Sequence, residues 1–325
     1  MVKNVLLTGA EGFIGKRLKF FLKSSGYNVK SAVWKKNKNY KKSSCNDFCF
    51  ERINSQTDWS NAFKSENIDT VIHLAARVHI LKETSKDPFT EFFSVNCQGT
   101  KKLAEEASKN NVRRFIFLST IGVNGNFTID APFSEKSKVS PKNYYSISKY
   151  LAELELLKIE KQTGMEVVIL RPPLVYGPEV GANFLKLLNL VNKTKFLPFK
   201  NVSNKKSFIY LDNLCHGILL CIENKKAGGE IFLISDSMDI STKDLVLKIA
   251  ESMDKKIKLF SLPDTFVQKI FYLSDRPSTY DSLWRSLEID SSKINMSLGF
   301  KPRVSFDNGI YLTVENYLRT INQKN

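Results

Sequence analysis

The stretch Asn143-Tyr144-Tyr145-Ser146-Ile147-Ser148-Lys149 holds a phenol and an ammonium four residues apart. On a helix that spacing puts both on one face. A phenol with its ordinary pKa of about 10 is a poor proton carrier at neutral pH. A neighbouring ammonium favours phenolate. Bringing Tyr145 near 7 takes about 4 kcal/mol, to be supplied by Lys149 and a second, bound cation. The same spacing also arises where a lysine snorkels past a half-buried tyrosine, so the pair carries meaning only with its surroundings.

Those surroundings begin at the N-terminus. Residues 2–7 are a short apolar run of strand type, followed at once by Thr8-Gly9-Ala10-Glu11-Gly12-Phe13-Ile14-Gly15. Leu18, Phe20, Phe21 and Leu22 then mark a helix ending near Gly26. Strand, glycine turn and helix together are the setting of a dinucleotide fingerprint. Gly9 permits the turn, Gly12 lets the backbone approach a pyrophosphate, and Gly15 lets helix and strand pack closely. The anion would rest on the helix N-terminus opened by Phe13 and Ile14. The second strand, Asn28 to Val33, runs into Trp34-Lys35-Lys36. A carboxylate is missing where NAD would present its ribose hydroxyls, and Lys35 and Lys36 would suit the 2′-phosphate of NADP. NADP(H) is therefore expected over NAD(H), the other reading being a solvated lysine pair.

Asp69 to Ala76 reads as a buried strand whose small final residues, Leu74, Ala75 and Ala76, would let a cofactor lie across its end. His73 and His79 are read as core residues rather than acid–base groups. Asp87-Pro88 opens a long amphipathic helix through Asn96 to about Asn110. Arg114 to Thr120 is the next strand and delivers the hydroxyls of Ser119 and Thr120 to the same sheet edge. A polar loop over 121–142 then leads to the Tyr145 helix, and Gly164 to Arg171 is a further strand. The expected architecture is a Rossmann-type doubly wound parallel α/β sheet in residues 1–178, with some sheet elements returning from the C-terminal half. Residues 179–325 would be mainly a smaller α+β substrate domain.

The chain has 325 residues, 42% hydrophobic and 25% charged, with a formal net charge of +16. Lysines dominate the positive charge and are scattered, so nucleic acid is not the expected partner. Anionic small ligands, or transient contact with an acidic membrane surface, are. Pro263 to Leu273 reads as an amphipathic helix (Phe266, Val267, Ile270, Phe271, Leu273) for core or lid packing, or for such a surface. No apolar run is long enough to span a bilayer, and the residues before the glycine motif leave no room for a signal peptide, so a cytoplasmic protein is expected. Cys45 and Cys49 lack a second ligand pair, and Cys97, Cys215 and Cys221 read as small core residues. Neither a metal site nor a disulfide framework is expected.

With the glycine motif, these stretches carry a resemblance: His73-Leu74-Ala75-Ala76, Asn96 in Val-Asn-Cys-Gln-Gly-Thr, Ser119-Thr120, Tyr145-x-x-x-Lys149 and Arg171-Pro172-Pro173-Leu174-Val175-Tyr176-Gly177-Pro178. Over nearly its whole length the chain resembles the extended short-chain dehydrogenase/reductase family of sugar-nucleotide epimerases, dehydratases and reductases. The resemblance implies that Thr120 is the active-site hydroxyl, Tyr145 the acid/base, and Lys149 the residue that holds the nicotinamide ribose and lowers the tyrosine pKa. It implies that Asn96 holds an active-site water and the helix geometry, and that Ser119 and Pro172 line the cofactor. On the substrate side it implies diphosphate contacts from Asn183, from Lys206 in place of the family's arginine, and from Arg276 or Arg285. Asn183 also reads as a plain helix cap. A homodimer through the helices near Pro88 and Tyr144 is implied as well.

Departures from the family pattern narrow the activity. Ile121-Gly122 stand where 4,6-dehydratases carry Asp-Glu, and they can move no proton, so a dehydratase is not expected. UDP-glucose 4-epimerases close the second strand with an acid and tend to have Asn where Leu174 stands. The signatures at 73–79, 120–125 and 171–173 look most like a bacterial branch that delivers hydride from NAD(P)H to C4 of UDP-4-keto-6-deoxy-N-acetylglucosamine for surface polysaccharide such as O-antigen. A UDP-hexose or UDP-N-acetylhexosamine 4-epimerase with tightly held NAD is the alternative. A non-catalytic NADPH-binding regulator is a second, against which the intact Thr120, Tyr145 and Lys149 set stands.

Overall fold

The computed structural model describes residues 3–34, 47–64, 67–78 and 85–323. The apolar runs without helical period pair edge to edge. β1 (Asn4–Thr8), β2 (Asn28–Trp34), β3 (Phe48–Phe50), β4 (Ile68–His73), β5 (Arg114–Leu118) and β6 (Glu166–Arg171) are parallel neighbours. β7 (Leu174–Tyr176), β8 (Phe196–Leu197) and β9 (Lys206–Tyr210) leave that sheet, and β10 (Ile231–Leu233) returns to its edge. Among the described residues the sheet order is β10-β6-β5-β4-β1-β2-β3. The order reverses between β1 and β4, and the carboxyl ends of strands at such a reversal leave a crevice for ligands. β11 (Asp239–Ile240) joins β9 and β7 in a second sheet, and β12 (Lys258–Leu259) pairs with β8.

The helices are α1 (Phe13–Ser24), α2 (Ser60–Phe63), α3 (Pro88–Phe93), α4 (Gly99–Lys109), α5 (Tyr144–Thr163), α6 (Ala182–Lys193), α7 (Leu211–Glu223), α8 (Thr242–Ser252), α9 (Asp264–Leu273), α10 (Pro277–Trp284), α11 (Ser292–Leu298) and α12 (Phe306–Asn322). Strand residues alternate between two covers, as the period of two requires. Val5, Leu7, Ile116, Leu118, Val168 and Leu170 pack under α1 and α7. Leu6, Phe115, Phe117, Val167 and Ile169 pack under α4 and α5. Burial on both faces explains why these strands read as continuous apolar runs. Arg17 of α1 grips Asp212 of α7 through two hydrogen bonds of 2.6 Å, tying the first cover together. In the C-terminal half, α6, α8 and α12 enclose Tyr176, Phe184, Phe208 and Phe306.

The long helix expected from Pro88 to Asn110 is not uniform. Asp87 caps α3 by accepting from the Thr90 N–H (3.2 Å), but Ser94–Gln98 widens into a π-turn before α4. An inserted residue of this kind re-aims side chains and recurs at functional sites. Here the turn holds Asn96, which is buried. Cys97, Cys215 and Cys221 are buried, whereas Cys45 and His79 lie outside the described residues. Among the described residues no helix is long and apolar enough to cross a membrane.

Candidate active site

The glycine turn is built by close contact. Gly9 has φ +69°, and a Cβ there would lie 2.7 Å from the Ala75 nitrogen, so the turn presses on the end of β4. A Cβ on Gly15 would lie 2.0 Å from the Gly9 carbonyl oxygen, which no side chain survives. A Cβ on Gly12 would meet the Gly9 oxygen alone, at 3.3 Å, so among the described residues its outer side is open. Gly12 caps α1 with no side chain, and the first turn, which includes Phe13 and Ile14, carries no acid. This cradle fits a pyrophosphate: bare backbone, free helix-start amides and room for oxygens to approach. β2 ends at half-exposed Trp34, whose indole N–H donates to the Glu51 carbonyl. Lys35 and Lys36, on which the expectation of NADP rested, lie outside the described residues.

α5 begins where its sequence says it should. Asn143 accepts from the Ser146 N–H (2.9 Å) while the Ser146 hydroxyl accepts from the Asn143 N–H (3.3 Å), a reciprocal cap. Tyr145, Lys149 and Glu153 follow at intervals of four, so one sheet-facing stripe carries a phenol, an ammonium and a carboxylate in turn. Tyr145 is half-buried, while Lys149 is sealed with its Nζ 3.7 Å above the Phe117 ring. Ser119 and Arg171 continue β5 and β6 on the face under α5, and both turn to Glu153. Arg171 donates to both Glu153 oxygens (3.0 and 2.5 Å), Ser119 donates to one of them, and Arg171 also reaches the Asn124 carbonyl oxygen (3.0 Å). Thr120 follows, its hydroxyl oxygen accepting from the Gly122 N–H (3.1 Å). A Cβ on Gly122 would sit 3.3 Å from Ser146, so the Thr120 turn abuts the start of α5. The Ile121 N–H donates to the carbonyl of buried Pro172 (2.9 Å), stitching that turn to β6.

In the protein by itself, burial acts on both the phenol and the ammonium of this stripe. Burial pushes the Tyr145 phenol up to about 12. Burial also pushes Lys149 down to about 7, with Glu153 acting in the opposite direction. Desolvation is the larger influence on each, because both charged forms lose water in this setting.

A second buried chain aligns the neighbouring loops. The Ala75 N–H donates to Thr8 Oγ1 (3.2 Å), Thr8 lies 2.7 Å from His73 Nδ1, His73 Nε2 lies 2.9 Å from Thr100 Oγ1, and Thr100 donates to the Asn96 carbonyl (2.6 Å). Because Thr100 spends its proton on Asn96, His73 must donate from Nε2 and accept from Thr8 at Nδ1. Burial holds His73 near 3, so it stays neutral, which suits a core residue. The Asn96 side chain accepts from the Arg77 N–H (2.7 Å) and donates to the Arg77 carbonyl and to Ser148 (3.0 Å each). Ser148 donates to the Tyr145 carbonyl (2.8 Å), so Asn96 braces the turn of α5 that bears the phenol. Ser148, Glu153 and Arg171 had no role in the sequence reading. The spacing of four from Lys149 to Glu153 was the available signal.

The substrate-side candidates are not gathered in this way. Asn183 is exposed in the first turn of α6 and does not cap it, since Gly181 holds the cap position. Lys206 is buried in β9 and donates to the Asp281 carbonyl (3.1 Å), and burial lowers it to about 8. Arg276 is exposed at the start of α10. Arg285 pairs with Asp281 (3.1 Å) and lies 4.4 Å over the Phe127 ring. Among the described residues no group of three or more His, Cys, Asp or Glu side chains is placed to hold a metal.

With this geometry in hand, comparison with known proteins is direct. The pattern described as the NAD dependent epimerase/dehydratase family matches residues 5–235. The chain is 37% identical over 328 residues to a UDP-glucose 4-epimerase of Vibrio cholerae, covering 99% of this chain and 98% of that one. It is 30% identical over 267 residues, 81% of this chain and 76% of the other, to an N-acetyl-alpha-D-glucosaminyl-diphospho-ditrans,octacis-undecaprenol 4-epimerase of Escherichia coli O157:H7. A crystal structure of UDP-glucose 4-epimerase from Thermotoga maritima with UDP-glucose superposes with a TM-score of 0.77 at 24% identity, over 98% of this chain and 99% of that one, so the fold is shared.

Proposed function

The chain belongs to the NAD dependent epimerase/dehydratase family, and from that premise we propose that it is a sugar-nucleotide oxidoreductase acting at C4 of a UDP-sugar, run as a net 4-ketoreductase. The substrate in this reading is a UDP-4-keto-6-deoxy-N-acetylhexosamine. Residues 1–178 would hold the cofactor, NADP(H) before NAD(H), and 179–325 mainly the sugar nucleotide. The observation that carries chemistry at C4 is the α5 stripe that sets Tyr145 and Lys149 on one face, with the Thr120 turn abutting the start of that helix. A phenol placed there gives its proton to an oxygen that grows negative during reduction, which is the role a 4-ketoreductase requires of it.

When bound, the nicotinamide supplies the hydride. Gly9, Gly12 and Gly15 with the start of α1 would hold its pyrophosphate, and Lys149 its ribose. Tyr145 protonates the oxygen growing negative at C4. Thr120 already accepts from Gly122, which leaves its own proton free to donate to the same oxygen. Two donors aimed where charge develops stabilise the transition state more than the ground state. Ile121-Gly122 beyond Thr120 offer no acid for eliminating water, which supports reduction over 4,6-dehydration.

A second reading, a UDP-hexose or UDP-N-acetylhexosamine 4-epimerase with retained NAD, is favoured by the 37% identity to the Vibrio cholerae protein across nearly both chains. One experiment separates them. Purified protein is given NADPH with a UDP-4-keto-6-deoxy sugar, and separately NAD with UDP-glucose or UDP-N-acetylglucosamine, and products are resolved by mass spectrometry and chromatography. Stoichiometric NADPH loss with a 4-hydroxy product supports reduction. C4 inversion without net cofactor change would overturn it in favour of the epimerase.

A further inference from the structure

We propose that the C-terminal half seats on the surface of an anionic lipid bilayer through α9 and the small β8/β12 sheet. α9 is held by one side only: Val267 is buried, and Phe271 packs on Tyr280 and Trp284 of α10 with ring centres 6.4 and 5.6 Å apart. The side about a third of a turn away carries Phe266, Ile270 and Leu273 at i, i+4 and i+7, and they are 54%, 47% and 88% exposed. Spacing of this kind makes a continuous apolar stripe, and such a stripe left in water has the form of an interfacial helix.

The β8/β12 sheet adds aromatic groups and charge. Phe196 and Lys258 are register partners, both exposed, and exposed Phe260 follows two residues on. The Lys200 N–H donates to the Phe260 carbonyl (3.2 Å), which brings a further lysine to this edge. Residues 193–200 and 254–260 together carry six lysines, all exposed, against one acid, Asp254. The two parts adjoin, because Pro198 beside β8 and Leu262, Pro263 and Asp264 at the start of α9 line one cleft.

Charge decides the occupant. A second copy seated here would bring two lysine clusters together, and like charges would oppose it. Anionic headgroups attract lysines that lie within a Debye length of such a surface. The apolar stripe would meanwhile enter the acyl boundary. This surface is independent of the catalytic reading and stands whether or not that reading does.

The test sediments the full-length protein with vesicles of phosphatidylcholine alone, or with about one third phosphatidylglycerol. Binding is expected on the anionic vesicles and not on the neutral ones, weakening as salt is raised. The triple variant Phe266→Ser/Ile270→Ser/Leu273→Ser should lower the vesicle-bound to free ratio at least ~10-fold. Lys195→Gln/Lys200→Gln/Lys258→Gln should do likewise, both with an unchanged circular dichroism spectrum and melting temperature. The proposal is overturned if the wild type stays in the supernatant with anionic vesicles, or if the serine variant sediments like the wild type. It also fails if, without lipid, velocity sedimentation shows an assembly that the serine substitutions dissolve, for then a second copy covers the stripe.

Discussion

Two arginine–carboxylate pairs of the same chemistry differ in how they are held. Arg171–Glu153, behind the phenol, is sealed, with side chains 4% and 1% exposed. Arg285–Asp281, which holds one of the two candidate diphosphate arginines, keeps 36% and 18% of its side chains in water. The sealed pair also holds Ser119 and Asn124, so every polar atom of it has a job in shaping one sheet edge. The other pair holds itself and a ring. Under the proposed function the first pair belongs to a floor built before any ligand arrives, and the second to a substrate wall assembled around one.

The sharpest way to break that contrast is to remove one partner from each pair. Glu153→Ala leaves a buried guanidinium uncompensated and should cost about 3–5 kcal/mol in urea unfolding. Arg285→Ala should cost no more than about 1 kcal/mol, because water screens what remains. Similar losses in the two variants would mean that the floor is no more built than the wall.

Tyr145→Phe should lower kcat at least ~10²-fold with the cofactor Kd unchanged, because it removes a proton and little else. Near-normal turnover would detach the phenol from the chemistry. Lys149→Met should raise the melting temperature more at about pH 6 than at about pH 9. The sign follows from the depressed folded value: buried Lys149 titrates at about 7, against 10.5 when unfolded. The stability it forfeits is regained as pH rises from 7 to 10.5 and is fully lost below 7. A gain that does not depend on pH would show that Lys149 is not held in the way its burial implies. Asn183→Ala is the mildest change. It should raise KM for the UDP-sugar by up to ~10-fold with kcat within ~2-fold, as expected for a contact made equally in ground and transition states. A fall in kcat instead would move the wall into the catalytic machinery.

The N-terminal half was legible because its signals are short-range. A strand, three glycines at fixed spacing and a helix make the turn by backbone sterics alone, and Asn143 with Ser146 starts α5 within four residues. Alternation along β5 and β6 points Ser119 and Arg171 toward α5, although that consequence was not drawn from the sequence. The C-terminal half was poorly legible. Its candidate contacts sit on separate elements whose approach depends on loops, and Lys206 spends its ammonium on a carbonyl of α10.

What the sequence determined by itself was therefore the order of elements, the glycine cradle and the stripe of phenol, ammonium and carboxylate on α5, because each is set by contacts within a turn or two of chain. The tertiary structure alone decided which protonation states that stripe adopts, and that Glu153 would be claimed by residues from β5 and β6. The reason is that desolvation depends on everything packed around a group. A spacing of four residues can bring Tyr145 and Lys149 to one face, but only the surrounding sheet and helices, by excluding water, could raise the one and lower the other.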